Sequence, residues 1–193
     1  MQPLVLASSS AYRRALLERL HLPFVCQAPH IDETALPGEN AERLVRRLAE
    51  QKARTLAAHF PDHLIVGSDQ VAALADGSLL GKPHDFARAR EQLRAASGSS
   101  VTFYTGLCLY NSRNQRIQVD CIPFTVHFRE LDDARIERYL RTEQPYDCAG
   151  SFKSEGLGIS LFRSTTGEDA TSLVGLPLIR LVDMLLAEGV AIP

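Results

Sequence analysis

A short apolar run, Leu4-Val5-Leu6-Ala7, leads through three serines into Tyr12-Arg13-Arg14-Ala15-Leu16-Leu17-Glu18-Arg19-Leu20. An apolar run this short, without polar alternation, predicts a strand buried on both faces, and the segment after it reads as a helix. The pattern then recurs. Asn40 is placed to cap a second helix, in which Leu44, Val45, Leu48, Ala49, Leu56 and Phe60 recur at helical spacing to about Phe60. Leu64-Ile65-Val66-Gly67 predicts another buried strand, continued by Val71 to Leu74. Asp76-Gly77 predicts a hairpin-type turn before Leu79-Leu80.

Asp85 opens a further helix to about Ala96. After Ser97-Gly98-Ser99 the chain turns β-rich, from Val101 to Tyr110 and back from Ile117 to Phe128 around the polar turn Asn111-Ser112-Arg113-Asn114-Gln115. Asp132-Asp133 starts a helix with Ile136, Tyr139 and Leu140 on one side. Ile159 to Phe162 reads as a late strand, and Leu176 to Leu186 as a final apolar helix with Pro177 near its first turn. Strands interleaved with helices, plus a long β-hairpin, predict an α/β domain with a mixed sheet flanked by helices.

Charge narrows the function classes. The 193 residues carry 21 Lys+Arg against 23 Asp+Glu, a formal charge of -2. That balance argues against general binding of nucleic acid or of an anionic membrane, yet leaves room for a small anion held by a few cations. No run of about 18 apolar residues predicts a membrane span. The N-terminus has neither the basic lead nor the apolar stretch of a signal peptide, so a cytoplasmic protein is expected. Cys26, Cys108, Cys121 and Cys148 form no C-x-x-C pair, and disulfides are not expected. His59 and His63 have Pro61 between them, which favours a polar loop over a zinc site.

Four segments can carry chemistry. Ser8-Ser9-Ser10-Ala11-Tyr12-Arg13-Arg14 lies at a strand-to-helix junction, where free N–H groups, the helix dipole, two hydroxyls and a guanidinium suit a phosphate. The plainer reading is a serine cap before a surface arginine pair, and no Walker A motif is present. In Gly67-Ser68-Asp69-Gln70, Asp69 ends an apolar strand, where it can hold a divalent ion, accept a proton from water, or merely terminate the strand. Gly81-Lys82-Pro83 aims a lysine from a stiffened backbone, or is a simple turn. The run from Cys148 to Gly158 combines three glycines with Lys153 and Glu155, as a ligand loop or as a surface loop with a weak ion pair. Asp32-Glu33 is an acidic pair equally suited to a solvated loop and a metal.

Taken in order, S-x-S-x-x-R, G-S-D-Q, G-K-P, C-A-G-S-F-K-S-E-G-L-G-I and Leu173-Val174-Gly175-Leu176-Pro177 resemble the Maf family of nucleotide pyrophosphatases. The resemblance covers nearly the whole chain, as a single Maf-like domain over 1–193. It is nearer the bacterial 7-methyl-GTP branch than the dTTP/UTP branch. The latter carries Arg at position 12, Thr at 70 and Gln at 155, where this chain has Tyr12, Gln70 and Glu155. Tyr12 departs from the Trp usual in the 7-methyl-GTP branch.

The resemblance implies a fold related to inosine triphosphatases, with two lobes around a nucleotide-binding cleft, and hydrolysis of 7-methyl-GTP to 7-methyl-GMP and diphosphate. It implies Asp69 as general base, Ser8, Ser10, Arg13, Lys52 and Lys82 as phosphate ligands, and Tyr12, Gln70 and Glu155 as readers of the base. It also implies Mg²⁺ or Mn²⁺ bound with the nucleotide, with Glu33 and Asp69 contributing. The alternatives are a dTTP/UTP pyrophosphatase or a non-catalytic nucleotide-binding regulator of cell division. The partner expected is a small nucleotide, with no nucleic acid and no membrane; a homodimer stays open, since no residue pattern specifies one.

Overall fold

The computed structural model describes residues 2–192. Its strands are β1 (Leu4–Leu6), β2 (Phe24–Cys26), β3 (Leu64–Leu74), β4 (Leu79–Leu80), β5 (Ser100–Asn111), β6 (Arg116–Phe128) and β7 (Phe162–Thr166). Its helices are α1 (Ala11–Glu18), α2 (Ala41–Thr55), α3 (Phe86–Ala96), α4 (Asp133–Glu143), α5 (Ala170–Val174) and α6 (Leu178–Ala187), with single 3₁₀ turns at Ala149–Ser151 and Leu157–Leu161. The sheet runs β2-β1-β3-β5-β6-β7, with β4 paired to β3. It is mixed: β1 pairs parallel with β2 and β3, whereas β3–β4 and β6–β7 are antiparallel. No helix among the described residues is long and apolar enough to cross a membrane.

The chain divides into two compact units. Within the described residues, the first comprises 2–70, 105–122 and 169–192; the second comprises 71–104 and 123–168. In the first unit the sheet is buried on both faces, as its unalternating strands require. One face packs Leu4, Leu6, Leu64, Val66, Leu107 and Leu109 against Leu16 and Leu17 of α1 and Leu181, Met184 and Leu185 of α6. The other packs Val5, Ile65, Cys108 and Tyr110 against Ala49 and Ala53 of α2 and Leu56. Burial there pushes the Cys108 thiol up to about 12, so it stays protonated. The core of the second unit includes Phe103, Phe128, Phe152 and Phe162, in edge-to-face contacts with centroids 4.8 to 5.5 Å apart.

The helix starts follow their caps. The side chains of Ser10, Asn40, Asp85 and Asp132 each accept the N–H three residues on, opening α1, α2, α3 and α4. Three sequence expectations need correction. The second helix ends at Thr55 rather than near Phe60, because the backbone tightens there: Ala57 N–H bonds Arg54 O and His59 N–H bonds Leu56 O. The late strand begins at Phe162, since Leu157–Leu161 is a 3₁₀ turn following a bend in which Gly156 and Gly158 both donate to Lys153 O. Pro177 is the N-cap of α6, which starts at Leu178.

Candidate active site

The parallel pairing of β1 with β3 brings two of the sequence motifs together. Leu6 sits opposite Val66, so the serines that follow β1 lie alongside the Ser68-Asp69 stretch of β3. Ser8 is buried, and its hydroxyl accepts the Ser10 N–H at 3.1 Å; the Ser10 hydroxyl in turn accepts the Arg13 N–H at 3.4 Å. Both oxygens act as acceptors here, which leaves each hydroxyl its own proton to donate to an anion. Tyr12, half-buried, is in the first turn of α1.

Arg13 is fixed from the far end of the chain. Its Nε donates to Gly175 O at 2.9 Å, so the guanidinium is oriented by one N–H while its remaining donors keep the fork that suits phosphate. Burial lowers its pKa, and the charges of Asp69 and Glu33 oppose that shift; an arginine in this setting stays cationic. Gly175 closes α5 with φ +117°, a backbone conformation that favours glycine. Its carbonyl also lies 3.0 Å from Ser68 Oγ, whose single proton is shared with Gly106 O at 2.8 Å.

The turn holding Gly175 is itself bound by Asp169, which is 3% exposed. One of its oxygens accepts Thr171 N–H and Oγ1–H at the start of α5, and the other accepts Ile179 N–H in the first turn of α6.

Residues of β3 alternate between two faces, as a strand must. Ile65, Gly67 and Asp69 share the face under α2. A Cβ at Gly67 would run into the Ala49 carbonyl, and one at Gly106 into the Val45 carbonyl, so these two glycines let α2 lie directly on β3 and β5. That close seating lets Lys52 of α2 reach Asp69: Nζ stands 2.6 Å from Oδ1, with the two side chains only 7% and 9% exposed. Glu33 Oε1 approaches the same ammonium at 2.7 Å from the solvent side. The loop bearing Glu33 is tied down by Arg47 of α2, which donates to Thr34 O at 3.1 Å and grips both oxygens of Glu39 at 2.7 Å. That grip lowers the Glu39 carboxyl to about 2.

On the opposite face, Gln70 spends its amide nitrogen inside the protein. Nε2 lies 2.7 Å from Ser172 O, 3.0 Å from Thr105 Oγ1 and 3.2 Å from Leu173 O. Its oxygen is therefore the atom it can offer to a ligand.

Lys82 and Glu155 belong to the second unit. Lys82 is exposed, whereas the neighbouring Pro83 is buried. Gln92 of α3 holds the Lys82 loop, with Nε2 on Gly81 O at 3.1 Å, while its Oε1 accepts Ser151 Oγ–H at 2.5 Å. The Gly81-Lys82-Pro83 segment and the Cys148–Gly158 loop thus share one side-chain anchor. Glu155 is exposed, its Oε2 accepting Ser154 Oγ–H at 2.9 Å.

Eight of the expected residues, Ser8, Ser10, Tyr12, Arg13, Glu33, Lys52, Asp69 and Gln70, lie in the first unit. Ser68, Gly175 and Gln92 were not singled out by sequence reasoning. Ser68 and Gly175 sit inside motifs already noted, but nothing local marks Gln92.

A family model described as "Maf-like protein" matches residues 3–188. Over 193 residues, the full length of both chains, the protein is 70% identical to one from Pseudomonas fluorescens (strain Pf0-1) named 7-methyl-GTP pyrophosphatase. A protein of the same name from Pseudomonas aeruginosa is 68% identical over the same span. Among solved structures, a HAM1 protein from Coxiella burnetii has the same fold at a TM-score of 0.54 and 15% identity, covering 97% of this chain and 100% of that one. On a match spanning nearly every residue and on full-length identities of this size, the chain belongs to the Maf family.

Proposed function

We propose that this protein hydrolyses 7-methyl-GTP to 7-methyl-GMP and diphosphate in the cytoplasm, removing a modified nucleotide from the pool. The observation that carries the reading is the Lys52 ammonium held between Asp69 and Glu33, in a unit that also presents Ser8, Ser10 and Arg13. The name borne by the full-length relatives supplies the identity of the base.

Water attacks the α-phosphorus, and the bond to the bridging oxygen breaks as diphosphate leaves. Asp69 accepts the water's proton. Lys52 holds Oδ1, which fixes the carboxylate and turns Oδ2 to the task. Ser8 and Ser10 donate their hydroxyl protons to phosphate oxygens. Arg13 and Lys82 balance the charge that grows on the leaving group.

Asp69 and Glu33 supply the hard oxygen donors a divalent cation takes, through the carboxylate oxygens that Lys52 does not hold. Among the described residues no group of three or more His, Cys, Asp or Glu could hold a metal ion, so phosphate oxygens would complete the shell, as is usual for Mg²⁺. When bound, Mg²⁺ or Mn²⁺ would neutralise phosphate charge.

N7-methylation makes guanine a cation. Tyr12 stacks on it, a contact worth about 0.5–2 kcal/mol. Glu155 accepts from N1–H and the exocyclic amine, and Gln70 has its Oε1 left to offer. A pyrimidine has neither the charge nor that donor edge.

The test is Glu155→Gln, with hydrolysis of 7-methyl-GTP, GTP and UTP compared side by side. Selective loss on 7-methyl-GTP supports the reading, whereas equal loss on all three, or none, defeats it. Wild-type preference for UTP would instead favour the pyrimidine branch, and no diphosphate from any triphosphate would favour a binding protein.

A further inference from the structure

We propose that Tyr139 and Glu143 are specificity-positioning residues, a two-point clamp on α4 that sets where the Glu155 carboxylate stands. The proposal rests on the reading of Glu155 as the group that meets the base. Residues four apart on a helix lie one above the other on the same face, and here both reach the same loop. Tyr139 Oη accepts the Lys153 N–H at 3.0 Å, and Glu143 Oε2 accepts the Leu157 N–H at 2.7 Å. Glu155 is midway, two residues from each anchor.

The loop is also pressed against the clamp. A Cβ at Gly156 would stand 2.8 Å from the Glu143 carboxylate, so any side chain there would push that carboxylate from its place. Glu143 Oε1 lies 3.9 Å from Lys153 Nζ, adding charge attraction at the first anchor. Within the loop, the Gly156 and Gly158 N–H groups both turn back onto Lys153 O, which makes 153–158 a closed bend. Such a bend moves as a unit, and two fixed amides leave it little freedom to shift.

The side chains making the clamp are themselves held. Tyr139 is 3% exposed, and burial raises its hydroxyl pKa, so the group stays neutral. Glu143 is 17% exposed at its side chain. Glu155, by contrast, has no such packing, and its position is inherited from the backbone on either side. A carboxylate that must meet two donors on a base needs that inherited precision, because small misplacements in a polar site cost large factors in rate.

A purely structural role for the clamp predicts lost stability with unchanged selectivity. The readout is therefore the ratio of kcat/KM for 7-methyl-GTP to that for GTP, with thermal melts run in parallel. Tyr139→Phe removes one acceptor and keeps the ring, and Glu143→Leu removes the other. Each should lower the ratio about tenfold. Glu143→Gln keeps an oxygen for Leu157 N–H and should restore most of the preference.

In a Glu155→Gln background the same substitutions should change the ratio no further, since they act through Glu155. If Glu155→Gln lowers the ratio while Tyr139→Phe and Glu143→Leu leave it at the wild-type value, the clamp is wrong and the reading of Glu155 stands. Additive losses in the Glu155→Gln background likewise overturn the clamp. If Glu155→Gln itself leaves the ratio unchanged, both fall. Should Glu143→Leu fail to fold, Tyr139→Phe carries the test, joined by hydrogen exchange at the Lys153 amide, which it should accelerate.

Discussion

Arg13 Nε donates to the carbonyl oxygen of Gly175 at 2.9 Å, joining the first helix to the turn between the last two across 162 residues of sequence. The bond uses one donor of the guanidinium and orients the rest. A lysine has no planar fork with which to hold the carbonyl and bracket a phosphate together. Arg13→Lys should therefore raise KM for the triphosphate about tenfold or more, the loss of one charge-assisted hydrogen bond. It should leave the affinity for the nucleoside almost unchanged. Steady-state kinetics with titration of nucleoside and triphosphate check this, and equal loss for both would point to a collapsed pocket.

Gly67 should not tolerate a methyl group. Gly67→Ala places Cβ against the Ala49 carbonyl, main chain that cannot swing aside, so α2 must lift from β3. A cost of about 1–3 kcal/mol is expected from overpacking. Turnover should fall as well, because Lys52 leaves Asp69 when its helix moves. Urea denaturation and kcat measured together should show both losses.

The Lys52–Asp69 pair is buried, so its halves should not be independent. Lys52→Met strands a carboxylate and should cost about 3–5 kcal/mol. Asp69→Asn should lower turnover by about two to four orders of magnitude with little change in nucleotide affinity. In the double variant the stability cost should be smaller than the sum of the two single costs. A thermodynamic cycle by chemical denaturation measures this, and strict additivity would show that the pair is not coupled.

Acid should loosen the Glu33 loop through Glu39. The Arg47 fork and the Leu36 N–H lower the Glu39 carboxyl from 4.5 to about 2 in the folded protein. A depressed folded-state pKa stabilises above the unfolded value, and that contribution is lost as pH falls from about 4.5 towards about 2. Glu39→Gln should thus melt below wild type at pH 7, and the gap should narrow across that window. Melting curves from pH 7 to pH 2 check it; a constant gap would mean the carboxylate charge is not what matters.

The sequence made most of the fold legible because its signals are local. Apolar runs marked β1 and β3, and side-chain caps at Asn40, Asp85 and Asp132 marked three helix starts. Elements too short for periodicity escaped it. β2 is three residues of a sheet edge, and α5 is five residues bounded by Asp169 and Gly175 rather than by any apolar stripe. The candidate residues were named through the order of motifs, but the contacts that hold them were not legible there. That Ser68 and Arg13 meet at one main-chain oxygen, or that Gln92 joins Gly81 to Ser151, depends on contacts between distant segments that no spacing encodes. The seating of α2 left only a faint mark, two glycines where strand formers would otherwise stand.

Asp169 gives the last segment of the first unit an unusual mechanical character. Because one carboxylate ties the start of α5 to the first turn of α6, residues 169–179 form a ring stapled without a covalent bond. A ring closed by a single side chain does not fray from one end; it stays shut or opens whole. The amides bound within it, at Thr171, Ser172, Gly175, Leu178 and Ile179, should exchange with solvent as one cooperative group. Arg13 is tethered to that ring, so the steadiness of the guanidinium proposed to hold phosphate is set by a latch that closes only once residues 169–179 have been made.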